Sequence, residues 1–342
     1  MRDLIKNWKG IALCFLIAIP SWFLGKHFEI IGGAVIAMII GMVITLFWKD
    51  KGSFEAGIKF TSKKILQWAV ILLGFGLNLG VVYKTGMQSL PIIVCTIGTS
   101  LIIAFALHKF FHIPGNISTL IGCGSSICGG SAVAATASVI DADDEEVAQA
   151  ISVIFFFNVL AAILFPSLGS ILGFSTTSGE AFGVFVGTAV NDTSSVTAAA
   201  ATWDSMWGLG TATLDKAVTV KLTRTLAIIP ITLVLAYVRT KRDGKEGKKV
   251  DLKSIFPSFI LYFIGASLIT TLAVGVGVQT DFFAPFKEVS KFFIVMAMNA
   301  IGLNTDIVKL VKTGGKPILM GASCWVGITI VSLILQRVMG IW

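Results

Sequence analysis

Three ionisable side chains lie deep inside stretches otherwise built from apolar and small residues. Asp192 stands in GTAVNDTSSVTAAAA (187–201), and Lys221 and Arg224 stand in ATLDKAVTVKLTRTLAIIP (212–230). A carboxylate at the middle of a bilayer costs about 3 kcal/mol unless it is paired or hydrated, so such groups mark substrate or proton paths. Lys221 and Arg224 are three apart and share one helix face. Counted from the short connection between the two stretches, Asp192 and Lys221 come to matching depths on neighbouring antiparallel helices, which predicts that they pair. Two cations against one carboxylate leave a positive surplus, and a surplus suits an anionic substrate. Asp192 would then carry a coupling proton, or act as the counter-ion that takes Arg224 back when substrate leaves.

A second stretch, TLIGCGSSICGGSAVAATAS (119–138), carries no charge. Gly122, Gly124, Gly129 and Gly130 each lower helix propensity by about 1 kcal/mol relative to alanine. Irregular backbone survives in lipid only where protein or a polar cavity surrounds it. The stretch therefore predicts a broken helix, with a half-helix starting near Ser131 whose positive N-terminal end points at the membrane midplane. Ser125, Ser126, Gly129, Gly130 and Ser131 would offer hydroxyl and backbone donors to substrate. Asn158, Asn191, Asn299 and Asn304 are the other polar candidates for coupling or gating. Asn299 and Asn304 flank AIGL (300–303), where a second break facing the first is expected. His27, His108 and His112 fall at span ends and read as interfacial.

The elements that must position these groups follow from composition. Only 13% of the residues are charged, against about 25% in a soluble domain, and apolar runs of bilayer length recur along the chain. The fold class is an all-α polytopic membrane protein in one integral membrane domain spanning 1–342. About eleven spans fit, at roughly 10–25, 29–48, 63–82, 90–108, 118–138, 147–168, 181–201, 213–238, 255–278, 288–308 and 317–339. The basic start and apolar core of the N-terminus lack a small-residue cleavage site and read as an uncleaved first helix. The net charge of +8 reads as loop charge rather than a nucleic-acid surface. Lys49, Lys51, Lys59, Lys63 and Lys64, the stretch RTKRDGKEGKKVDLK (239–253), and Lys309, Lys312 and Lys316 all become cytoplasmic in a chain with its N-terminus inside and C-terminus outside. The same count sends DADDEE (141–146) outside.

Two internal echoes bear on architecture. GFGLNLGVVYKTG (74–86) and AIGLNTDIVKLVKTG (300–314) share Gly-Leu-Asn and Lys-Thr-Gly in spans of opposite direction, as an inverted-repeat transporter requires. GGSAVAAT (129–136) and SSVTAAAA (194–201) join spans of the same direction, and small-residue composition accounts for them. The five cysteines lie in or beside apolar runs and read as small hydrophobes. Cys123 and Cys128 are off one helical face, so no metal site is expected. There is no P-loop, nucleophile elbow or protease diad, so neither an enzyme nor a cofactor is expected.

Three of these stretches carry a family resemblance. GCGSSICGGSAVAATASVIDADDEEVAQAI (122–151), VKLTR (220–224) and AIGLNTD (300–306) resemble the YeiH family of bacterial inner-membrane proteins, from about residue 30 to the end. The resemblance implies an anion exporter of crossed, broken helices in inverted repeats, with a homodimer as its assembly. Where the family pattern has Ile-His-Asp or Ile-His-Glu, this chain has Val-Asn-Asp (190–192). Asn191 replaces the histidine, so no imidazole relay carries over. The resulting expectation is a secondary transporter in the bacterial inner membrane that moves a small anion, sulfate or a related sulfur oxoanion, by alternating access. Its partners would be that solute and the lipid bilayer, with no nucleic acid. The alternatives are a sodium- or proton-coupled transporter of another organic solute, with Asp192 as cation ligand, and an anion channel.

Overall fold

The computed structural model describes residues 2–27, 33–75, 77–243, 258–305 and 315–342, and all their regular elements are helical. The helices sort into two bodies. The first contains α1 (Arg2–His27), α2 (Gly33–Phe47), α3 (Glu55–Phe60) and α4 (Leu66–Gly74), with a π-helical turn at Thr61–Ile65 joining the last two. Near the C-terminus it adds α13 (Ser258–Gly275) and α14 (Ala284–Asn304). Its tightest seam runs between α2 and α14. A Cβ on Gly41 would fall 2.5 Å from the Asn299 carbonyl oxygen, and one on Gly302 would fall 3.0 Å from the Met42 nitrogen. The bare glycines let the two backbones touch, as small residues do where lipid offers no hydrophobic drive. Thr45 Oγ1 then donates to the Leu303 carbonyl at 2.8 Å, satisfying the end of α14.

The second body contains α5 (Leu79–Phe111), α6 (Gly115–Ser126), α7 (Gly130–Ile140), α8 (Asp144–Leu172), α9 (Glu180–Ala189), α10 (Thr193–Trp207), α11 (Ala212–Thr225), α12 (Ile228–Asp243) and α15 (Gly315–Val338). Phe165 of α8 packs between Phe185 of α9, at 4.9 Å, and Trp325 of α15, at 5.4 Å. Phe182 stacks on Trp203 at 4.1 Å and ties α9 to α10.

Five helices among the described residues are long and apolar enough to cross a bilayer: Asn7–Gly25, Leu79–Phe111, Glu145–Leu172, Ala212–Leu235 and Gly315–Val338. Two of the eleven expected spans do not run through. The arms α6 and α7 fold back on each other, so that Val133 lies against Gly124, and Asn116 at the start of α6 donates to Glu146 near the start of α8 at 2.9 Å. Both ends of the 118–138 stretch therefore lie at one end of α8. The arms α9 and α10 do the same at the other end. A Cβ on Gly179 would meet Cα of Thr213 at 2.7 Å, and the Thr213 nitrogen donates to Asp204 Oδ1 at 2.9 Å. The starts of α9 and α11 and the end of α10 are thus one cluster. Arms of 10 to 15 residues reach about 15–22 Å at 1.5 Å per residue, roughly half of a bilayer plus its interface. The fold holds two helical hairpins entering from opposite ends of α8 with their tips at its middle.

The expected second break at AIGL (300–303) does not occur. The α14 helix runs unbroken through it, because Gly302 is the contact with α2 rather than a turn. The break lies instead at Val190–Asp192, inside what reads from sequence as a continuous seventh span. Residues 244–253 of the basic stretch and 306–314 of the second Gly-Leu-Asn echo lie outside the described residues.

Candidate functional site at the hairpin tips

Backbone conformation turns the first tip. Ile127 leaves the helix at φ −116°, ψ −88°, and Gly129 takes φ +72°, ψ −130°, a region closed to residues with a Cβ. The Gly129 nitrogen closes the turn on the Gly124 carbonyl at 2.9 Å. A side chain turns the second tip. Val190 and Asp192 are extended, and Asp192 caps α10. Its Oδ1 accepts from the Ser195 nitrogen and the Ser194 hydroxyl, both at 2.6 Å, and its Oδ2 accepts from Ser195 Oγ at 3.2 Å. The tips touch: a Cβ on Gly129 would sit 3.1 Å from Asp192 Cβ and 3.5 Å from Asn158 Nδ2. Asn158, at the middle of α8, anchors the second tip by accepting from the Asn191 nitrogen at 3.1 Å. Asn191 is itself buried, and its Oδ1 has no partner among the described residues.

From α11, two cations reach both tips at once. Lys221 Nζ donates to the carbonyls of Ile127 at 2.8 Å and Val190 at 3.0 Å. Arg224 donates to Ser126 from Nε at 2.8 Å, to Ser125 from Nη2 at 2.7 Å, and from Nη1 to Thr188 and, at 3.4 Å, Val190. Both side chains are 0% exposed. They are carried there because α11 runs parallel to α9 along Gly183 and Gly187, whose missing side chains admit Lys216 and Val220. The orphan C-terminal carbonyls of the first arms, each end worth about half a negative charge, receive the two positive side chains.

This changes several expected roles. Asp192 makes no ion pair with Lys221 or Arg224; its carboxylate turns to the start of α10 and is half-buried, whereas the cations turn to carbonyls. Ser125 and Ser126 contribute their carbonyls, and the Ser126 hydroxyl is taken up by Cys123 O at 2.9 Å within its own helix. Gly129 and Gly130 are at the first tip, and Ser131 is exposed in the first turn of α7. Asn158, Asn191 and Asp192 come together with them. Asn299 and Asn304 do not: Asn299 donates to Cys14 O at 3.3 Å inside the first body, and Asn304 to Ser62 Oγ at 3.3 Å on its surface.

Sequence reasoning missed the carbonyls of Ile127, Thr188 and Val190, which have no residue-type signature. It also missed a link between the bodies. Lys287 of α14 pairs with Asp215 of α11 at 2.7 Å and reaches Thr211 Oγ1 at 3.1 Å. Beside that link, a cleft of about 460 Å³ opens between the bodies, lined by Trp22, Ala34, Asp204, Ser205, Lys291 and Val295 among others. A groove of about 720 Å³ flanks the first hairpin from the opposite end, between α5, α6 and α12, with His108, Asn116 and Asp141 at its polar end.

The family described as conserved hypothetical protein 698 matches residues 9–321. A UPF0324 membrane protein of Streptococcus mutans is 59% identical over 337 residues, covering 97% of both chains. The chain belongs to this family. Other UPF0324 membrane proteins come from Streptococcus pyogenes, 57% identical with complete coverage of both chains, and Fusobacterium nucleatum, 57% identical over 97% of this chain and 98% of the relative. Like them, this UPF0324 chain is a membrane protein, and its apolar helices make it multi-pass. The YeiH resemblance and the UPF0324 relatives converge on one family, and in this member the two glycine- and serine-rich stretches are its hairpin tips.

Proposed function

We propose that this protein is a secondary transporter of a small anion, working by alternating access around the two hairpin tips. One observation carries the reading. The C-terminal ends of the first arms are neutralised by Lys221 and Arg224 and the N-terminal end of α10 by Asp192, so the positive N-terminal end of α7 remains as the free electrostatic feature of the crossing. Helix N-termini that meet at membrane depth are anion sites. The α7 end has no side-chain cap, whereas Asp192 caps α10, so the anion sits on the backbone donors near Gly130 and Ser131. Asp192 adjoins that position. Its negative charge opposes the anion, and protonation or displacement of its carboxylate favours binding.

Sidedness follows from the hairpins together with the charged loops. Each hairpin returns to its own side, which removes two crossings and leaves all three basic clusters cytoplasmic. Only the segment between the hairpins changes place: 141–146 becomes cytoplasmic and 173–179 exterior. The cleft then faces the exterior beside the second hairpin, and the groove faces the cytoplasm beside the first. A chain with a cavity opening towards each side and a polar crossing between them suits alternating access better than a continuous pore.

The test is counterflow of labelled sulfate in proteoliposomes, with sulfite and thiosulfate as competitors, with and without a pH gradient, for wild type and Asp192→Asn. Saturable flux that responds to the gradient in wild type and loses that response in Asp192→Asn supports a proton-coupled anion carrier. Conductance without saturable exchange would instead establish a channel. Folded wild type that moves none of the three anions removes sulfur oxoanions as substrates.

A further inference from the structure

The geometry at the tips points to a second property of the same site. In broken-helix transporters, the C-terminal ends of half-helices and the unwound carbonyls beside them are where coupling cations bind. Here the carbonyls of Ser125, Ser126 and Ile127 on one hairpin, and of Thr188 and Val190 on the other, are held by Lys221 and Arg224. The Lys221 ammonium is bound like a free monovalent ion, with two carbonyl oxygens at 2.8 and 3.0 Å, one from each hairpin. It differs from a free ion in being attached to α11, so it cannot exchange. Arg224 spans the same two chain segments with all of its donor nitrogens.

We propose that Lys221 and Arg224 are resident counter-cations that take the place of an exchangeable sodium or potassium ion at the hairpin tips. The tips close without a bound metal ion, and the exchangeable charge of the site is the substrate. Both residues are positioning residues, acting through the carbonyls they hold. The inference shares its site with the transport reading but uses no flux measurement. A failed anion assay leaves it standing, and its own failure leaves anion transport standing.

The experiment is thermal unfolding of the purified full chain in detergent at constant ionic strength, titrating choline chloride against sodium, potassium or methylammonium chloride. Wild type is expected to keep one midpoint in all four salts, since a ligand that binds only the folded state raises the midpoint with its concentration. Lys221→Ala should unfold several degrees lower in choline and recover part of the loss in potassium or methylammonium, which fit the vacated carbonyls. Lys221→Met fills the space without charge and should be lowered but not rescued. A wild-type midpoint that rises with sodium or potassium over choline overturns the proposal, as does a Lys221→Ala chain indifferent to every cation. If Lys221→Ala does not fold, the wild-type titration still decides.

Discussion

The two hairpin tips solve the same problem with different chemistry. Each must reverse the chain near mid-membrane and leave two helix ends without intrahelical partners. The first does so with glycine: Gly129 adopts φ +72° and α7 begins without a side-chain cap. The second does so with a carboxylate: Asp192 caps α10 and binds two serines. Their negative ends are treated alike, since Lys221 donates to one carbonyl from each tip and Arg224 bridges the same pair. The difference shows which half of the crossing is open. The end of α7 offers bare backbone donors, whereas the end of α10 is already occupied by the protein's own anion.

The largest expected effect tests whether both stretches are hairpins at all, and it is all-or-none. In a chain with its five cysteines replaced by serine, Glu145→Cys and Thr177→Cys should label from the cytoplasm and the exterior respectively with a membrane-impermeant maleimide. Through-going spans require the reverse for both.

Next in size is the shared clamp. Arg224→Ala strands carbonyls on both tips in a buried setting, where each group left unsatisfied costs about 1–3 kcal/mol. It should abolish folded protein or lower the unfolding midpoint by more than any other single change proposed here, as read by size-exclusion fluorescence after heating.

Gly129→Ala attacks one tip only. The strained backbone costs about 1–3 kcal/mol, and the new Cβ would press on Asp192 at 3.1 Å. Flux should fall more than stability, because the displaced group is Asp192. A variant as active as wild type would remove the first tip from the site.

Asp192→Asn is the mildest change at the second tip. Asparagine caps as well as aspartate, and the stability change should stay within about 0.5 kcal/mol. Asp192→Ala should cost about 1 kcal/mol by losing the cap. Equal losses for the two variants would show that charge, not capping, is what the second tip needs. Last, Lys287→Gln leaves the buried Asp215 carboxylate without its cation. It should chiefly raise the accessibility of a cysteine at Ser205 in the cleft between the bodies.

Much of the site was legible in the residues. The glycine run at 122–130 announced a break, and Asp192, Lys221 and Arg224 announced themselves as charges where charge is costly. The small-residue echo between 129–136 and 194–201 had looked like composition. In the fold it marks the two second arms, each starting just after a tip. The pairing of Asp192 with Lys221 was misread because depth along a helix says nothing about which way a long side chain turns. A nearby row of orphan carbonyls was the stronger partner. AIGL was misread as a break because a glycine that admits a neighbouring helix and one that turns the chain have the same letter.

By itself the sequence determined that this chain is an all-helical membrane protein, that its glycine- and serine-rich stretch at 119–138 interrupts a helix, and that three charges within apolar stretches need partners. Those properties follow from transfer costs and backbone propensities, which act residue by residue. Only the tertiary structure decided that the interrupted helices turn back instead of crossing, that the tips meet beside Asn158, and that the cations hold carbonyls. Those outcomes depend on main-chain groups identical in every residue, and only the packing of α8, α9 and α11 determines which of them face one another.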